Sequence, residues 1–123
     1  MFRKVLALLA TTLLVPAVHA AEFPTHPITI VVPVPPGGIV DLAARLASEP
    51  LTRGLGQATV VDNRTGASGN IAYNMVAAAP PDGYTLLASY SMYHAGNPSM
   101  FTGLHWTKES FKPVAMIAVA PQV

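Results

Sequence analysis

The chain has 123 residues, at most one domain, with 51% hydrophobic and 11% charged side chains, which excludes a disordered acidic or basic tail. A net charge of +1 with no basic block argues against a nucleic-acid partner, which a clustered Lys/Arg face would announce. Cysteine is absent, and with it any disulfide framework, thiolate metal site or cysteine nucleophile.

The first twenty residues read as a leader. Arg3 and Lys4 form a short positive region, Val5–Val15 is apolar apart from Thr11 and Thr12, and Val18-His19-Ala20 offers a cleavage site after Ala20. The apolar run falls short of the roughly 20 residues that span a bilayer. Residues 1–20 are therefore expected to be a signal peptide, leaving an exported chain that begins at Ala21. That chain would carry five basic and six acidic side chains, and its lack of disulfides is compatible with a bacterial periplasm.

Ile28–Val32 (ITIVV) is a β-branched run bordered by Pro27 and Pro33, and it reads as a strand buried on both faces. Pro33 to Gly38 forms a loop. Leu42, Ala43, Leu46, Ala47 and Leu51 then recur at helical spacing, with Asp41 in the first turn and Arg53 and Gly54 at the end. Pro50 lies inside this pattern and predicts a kink or an early end near Glu49. Ala58–Asp62 is a second strand and Asn63–Gly69 a second glycine-rich loop. A second helix follows from about Asn70 to Ala79, its apolar face formed by Ile71, Met75, Ala78 and Ala79, and Pro80-Pro81-Asp82-Gly83 ends it. Tyr84–Ser89 reads as a third strand and Val114–Val119 as a fourth. Tyr90–Pro113 between them is irregular, with a helical turn near Pro98–Phe101. Strand, loop and helix repeat twice, so the expected class is α/β, a parallel sheet built from βαβ units.

Such sheets bind ligands beyond the carboxyl ends of their strands, and both glycine loops occupy such ends. Gly37 and Gly38 let backbone approach a ligand closely, and a branched side chain at Gly38 is expected to strain the backbone there. Gly66 and Gly69 act similarly in the second loop, where Ser68 and Asn70 add neutral hydrogen-bonding groups. Each loop opens a helix, whose N-terminus attracts anions. Two adjacent donor-rich loops suit a carboxylate without a basic side chain; the same glycines also serve simple tight turns. Asp41 either complements the helix dipole or accepts hydrogen bonds that shape the first loop. Arg64 either pairs with an anion or is a solvated loop arginine.

Established enzyme motifs fail. Neither the phosphate-binding G-K-[ST] nor G-x-G-x-x-G is present, and Gly66-Ala67-Ser68-Gly69-Asn70 misses G-x-S-x-G by one position. No orienting spacing joins Ser68, His94 and Asp82 into a triad. His26, His94 and His105 lack metal-ligand spacing and read as surface or packing residues. Met75, Met92, Met100 and Met116 read as core filler. Tyr73, Tyr84, Tyr90, Tyr93 and Trp106 read as packing or rim residues.

Longer landmarks carry a resemblance. Val31-Val32-Pro33-x-Pro35-Pro36-Gly37-Gly38-x-x-Asp41-x-x-Ala44-Arg45, Leu55-Gly56-Gln57 and Val60-Val61-Asp62-Asn63-Arg64-x-Gly66-Ala67-x-Gly69-Asn70-Ile71 occur in order. Pro81-Asp82-Gly83-Tyr84-Thr85-Leu86-Leu87, Asn97-Pro98 and Phe111-x-Pro113-Val114 follow. Across residues 22–121 the chain resembles the substrate-binding proteins of tripartite tricarboxylate transporters, the Bordetella uptake gene family. The resemblance implies a two-lobed extracytoplasmic receptor, monomeric, that binds a small di- or tricarboxylate and delivers it to membrane permease subunits, with no cofactor or metal. It implies that Val34, Pro36, Gly37, Gly38, Gly66, Ala67, Ser68, Gly69 and Asn70 surround the carboxylate, with Asp41 shaping the loop. It also implies that Ser89, Tyr90 and Ser91 line the same cleft. Val34 stands where the family often has an aromatic residue, Val40 where it often has a small or hydroxylated one, and Pro50 replaces a helix-compatible residue. By this resemblance residues 21–123 form a partial first lobe, expected to bind no ligand tightly alone. The alternative is a fragment of a secreted α/β enzyme acting on a small carboxylic acid or ester.

Overall fold

In a computed structural model, the structure describes residues 22–119. The expected leader and its cleavage site lie outside the described residues. Three strands, β1 (Ile28–Val32), β2 (Thr59–Asn63) and β3 (Thr85–Leu87), form a parallel sheet in the order β2-β1-β3. Ile28 pairs with Thr59 and Val32 with Asn63 on one side; Thr29 pairs with Thr85 and Val31 with Leu87 on the other. The β-branched run is thus the central strand. Ile30 and Val32 join Val40, Ala44 and Ala88 in the core, with Val34, Leu51, Val61, Leu86 and Tyr90 packed around them. The expected α/β class and its βαβ units are present.

Helix α1 (Ile39–Leu55) crosses from β1 to β2, and α2 (Asn70–Ala77) from β2 to β3. Both turn a different face inward from the one the apolar pattern selects. Helix α1 buries Val40, Asp41 and Ala44, and its polar stripe docks on β2. Ser48 Oγ donates to the Thr59 carbonyl at 2.9 Å, and Thr59 N–H donates to Thr52 Oγ1 at 3.0 Å. These bonds fix the rotation of the helix, leaving Ile39, Leu42 and Leu46 exposed. Helix α2 likewise buries Asn70, Ala72 and Tyr73 and exposes Ile71 and Met75, because Asn70 and Tyr73 carry inward hydrogen bonds. The helix does not end at Glu49 but runs past Pro50 to Leu55. Pro50 has no N–H to offer the Leu46 carbonyl, and Leu46 is 77% exposed, on the solvent side of the helix.

The expected fourth strand is absent from the described residues. Residues 114–119 form neither strand nor helix, and Val114 and Met116 are 83% and 82% exposed. A β-branched run becomes a strand only beside a partner ladder; here Ile117 and Ala118 instead border a shallow groove with Leu42 and Leu46 of α1. The four methionines predicted as core filler are exposed as well. The core needs none of them, being filled by the β-branched side chains of β1 and by alanines where helices cross it.

After β3 comes a π-helical turn (Met92–Gly96), then the short helix α3 (Asn97–Met100), near the expected helical turn. Tyr73, His94, Trp106 and Phe111 form an aromatic cluster, Tyr73 and Trp106 having ring centroids 4.5 Å apart. At the far edge of the sheet, His26 stacks on Tyr84 with centroids 3.6 Å apart. His26 and His94 thus pack against aromatic rings.

Candidate functional site

The carboxyl ends of β1 and β2 release the two glycine-rich loops at one edge of the sheet. The first loop is built around Asp41, 1% exposed. Its carboxylate accepts the Gly37 N–H at 2.8 Å, Arg45 Nε at 3.0 and 3.1 Å, and Asn63 Nδ2 at 2.9 Å. Asn63 Nδ2 also donates to the Val34 carbonyl at 3.0 Å, and Arg45 Nη2 to Asn63 Oδ1 at 3.2 Å. One buried carboxylate and one carboxamide therefore grip the loop at both ends. The Arg45 hydrogen bond first, then those from Gly37 and Asn63, hold the Asp41 carboxyl down to about 2. Of the two roles open to Asp41, shaping the loop is the one its contacts perform.

Left-handed backbone in this loop falls at Gly37, with φ +85°; Gly38 has an ordinary φ of −69°. The expected strain at Gly38 is corrected accordingly. A Cβ there would instead press on Val34 Cγ2 at 3.1 Å and the Pro35 carbonyl at 3.2 Å. Val40 is in the core rather than at the loop surface. Substitution at that position acts through packing.

The second loop is a left-handed turn. Gly66, Ala67, Ser68 and Gly69 have φ of +116°, +48°, +52° and +81°, and Gly69 N–H closes the turn on the Gly66 carbonyl at 2.9 Å. Ala67 and Ser68 have side chains in a region that disfavours them. Asn97 Nδ2 donates to the Ser68 carbonyl at 2.8 Å.

The third segment meets the other two. Ser89 Oγ is 2.9 Å from the Tyr73 hydroxyl, and the Tyr90 ring packs edge-on to Tyr93 at 5.5 Å. Burial pushes the Tyr73 hydroxyl pKa up, so it stays a neutral phenol. Tyr93 lies against Gly69, and a Cβ at Gly69 would sit 2.6 Å from Tyr93 Cδ2 and 3.1 Å from Pro33 Cβ. Pro33, Gly69 and Tyr93 thereby bring the first loop, the second loop and the segment after β3 to one point.

The predicted residues divide by exposure. Pro36, Gly37, Gly66, Ala67, Ser68, Ser89 and Ser91 are exposed; Val34, Gly38 and Tyr90 are half-buried; Asp41, Gly69 and Asn70 are buried. The amides of Gly37, Gly38 and Gly69 turn inward, onto Asp41 Oδ2, the Pro35 carbonyl and the Gly66 carbonyl. The glycines contribute shape. Behind the loops stand the helix N-termini, whose N-caps are Gly38 and Gly69; the Asn70 N–H is itself bonded to the Ala67 carbonyl. An α-helix leaves its first-turn N–H groups without intrahelical partners. Arg45 Nε pairs with Asp41 Oδ2 at 3.0 Å and Arg64 Nε with Asp62 Oδ2 at 2.9 Å. Among the described residues no group of three or more His, Cys, Asp or Glu side chains is placed to hold a metal ion. His94 packs in the aromatic cluster and Asp82 accepts the Tyr84 N–H at 3.0 Å; no hydrogen bond among the described residues joins either to Ser68.

Sequence reasoning passed over Arg45, Asn63, Asn97 and Trp106 as functional residues. A signal existed for the first: Asp41 and Arg45 stand at i,i+4 in a helical first turn. Asn97 and Trp106 act across 27 and 36 residues of chain from Asn70, a distance no local pattern spans.

Comparison with known proteins then gives the family. The chain is 44% identical over 124 residues to a UPF0065 protein of Bordetella bronchiseptica, covering 93% of this chain and 35% of that protein. Among solved structures, MatC from Rhodopseudomonas palustris with bound malate has a TM-score of 0.67 and 34% identity, over 77% of this chain and 33% of that one. Rpa4515 from R. palustris with adipate has a TM-score of 0.58 and 45% identity, over 59% and 24%. The chain spans about a third of the length of the curated relatives it matches. The family model described as "Tripartite tricarboxylate transporter family receptor" matches residues 43–123. On that match over most of its length, this chain belongs to the tripartite tricarboxylate transporter receptor family.

Proposed function

We propose that this chain forms the carboxylate-gripping lobe of an extracytoplasmic solute receptor. A small di- or tricarboxylate sits at the sheet edge, one carboxylate held by the first-turn amides of α1 and α2. Val34, Pro36, Gly37, Gly38, Gly66, Ala67, Ser68, Gly69, Asn70, Ser89, Tyr90 and Ser91 surround it, with Asp41 fixing the first loop. The receptor is a periplasmic monomer, mature from Ala21, and it passes its ligand unchanged to membrane permease subunits. The observation that carries this reading is the pair of glycine-capped helix N-termini, each behind a glycine loop, at one edge of a parallel sheet. Charge-assisted hydrogen bonds from backbone N–H groups, reinforced by two helix dipoles, bind carboxylate without basic side chains. The malate and adipate in the two related structures are of this chemical class.

The test is calorimetric titration of the full-length protein that carries this sequence, purified from periplasm with Ala21 as its N-terminus. Malate, adipate, a tricarboxylate and the diamide of malate form the panel. At least one acid should bind more tightly than about 1 mM, and the diamide at least roughly 100-fold more weakly than malate or not at all. The acids should be recovered intact. Equal binding of diamide and acid, or conversion of the acid, would refute the proposal.

A further inference from the structure

The segment after β3 does more than pack. Asn97 is 2% exposed, and its Nδ2 donates to the Ser68 carbonyl at 2.8 Å and to Asn70 Oδ1 at 3.1 Å. Trp106, 3% exposed, donates Nε1–H to the same Asn70 Oδ1 at 3.1 Å. Asn70 is the first residue of α2, and Ser68 lies in the left-handed turn that aims that helix. Four successive positive φ values, two of them at non-glycine residues, persist only where neighbours hold them. The brace supplies that hold, one bond inside the turn and two at the residue where the helix starts. Without it Ala67 and Ser68 relax toward ordinary φ, and the peptide planes ahead of α2 rotate.

We propose that Asn97 is a positioning residue for the bound carboxylate: backed by Trp106 through Asn70, it locks the Gly66–Gly69 turn so that the first-turn amides of α2 face the ligand. This rests on the carboxylate-receptor reading above.

The test uses Asn97→Asp in the full-length protein. The variant keeps the volume of the side chain but sets an acceptor against the Ser68 carbonyl and Asn70 Oδ1. Affinity for whichever of malate, adipate and the tricarboxylate binds most tightly should fall by roughly tenfold or more. Amide exchange at Gly69 should accelerate while that at Ile30 and Val31 in β1 is unchanged. A purely structural residue would instead loosen β1 together with the turn. In the unmutated protein, the bound acid should slow exchange at Gly69 and shift the Trp106 indole N–H resonance, a readout that decides the matter if the variant does not fold. A smaller loss of affinity, a loss matched by equal deprotection of β1, or an unmoved turn in the unmutated protein would each overturn the inference. An unmutated protein that binds none of malate, adipate and the tricarboxylate would overturn the receptor reading, and this inference with it.

Discussion

Gly69→Ala is expected to destabilise the fold by about 2–5 kcal/mol and to weaken carboxylate binding beyond detection. Two effects add. A Cβ at φ +81° costs about 1–2 kcal/mol for backbone alone. It would also lie 2.6 and 3.0 Å from Tyr93 Cδ2 and Cε2, with Pro33 Cβ at 3.1 Å on another side, and overpacking of this kind costs about 1–3 kcal/mol. The Tyr93 ring, packed edge-on against Tyr90, has to shift for the methyl to fit. Any shift moves the turn immediately ahead of the α2 amides. Gly103→Ala is the matched control, since Gly103 has φ +73° with nothing within 4 Å of its Cβ position. It should cost only the backbone term and leave affinity unchanged. Denaturant unfolding and calorimetry on both variants check this; equal stability and affinity in the two would sink the assignment.

Asp41→Asn should reshape the acid limb of the stability curve. In the folded chain the Asp41 carboxyl titrates at about 2, below the ordinary 3.8, mainly because of the Arg45 hydrogen bond and then those from Gly37 and Asn63. Between those values the unfolded chain binds the proton and the folded chain does not, so stability rises with pH through this window. The contribution is present above the ordinary value and drains away as pH falls toward 2. An asparagine has a single acceptor oxygen for three donors and turns an N–H₂ toward one of them. The variant should melt roughly 5 °C lower at pH 7, and its melting temperature should fall less steeply than the parent's between about pH 5 and 2. The two curves should converge at the acid end. Parallel curves across that range would show that Asp41 is not the group being titrated. Ligand affinity should fall as well, because Gly37 loses the partner of its N–H.

The sheet was legible in the sequence because its strands are marked by composition: Ile28–Val32 between two prolines is a β-branched run. The loops were legible because glycine and proline interrupt the pattern at strand ends. The helix faces were not. Periodicity assigned Leu42 and Leu46 to the core and Ile71 and Met75 with them, yet the structure buries Asp41 and Asn70 instead. A buried polar residue is invisible to an apolar pattern until its partners are known, and those partners, Asn63, Asn97 and Trp106, come from distant chain. Residues 114–119 failed for the opposite reason. Their composition favours a strand, but a strand is a pairing, and among the described residues β1, β2 and β3 pair only with one another.

If this chain is a carboxylate receptor, backbone at the two helix starts holds the carboxylate. Amide nitrogen–proton NMR spectra of the full-length protein, recorded as malate or adipate is added, address this most directly. The account predicts that the largest shifts fall on Ile39 and Val40 of α1 and on Ile71 and Ala72 of α2, with Gly37, Gly38 and Gly69 moving less because their N–H groups are already bonded within their loops. Saturation that leaves these four amides unmoved, or shifts gathered along the outer face of α1 around Leu42 and Leu46, would contradict it.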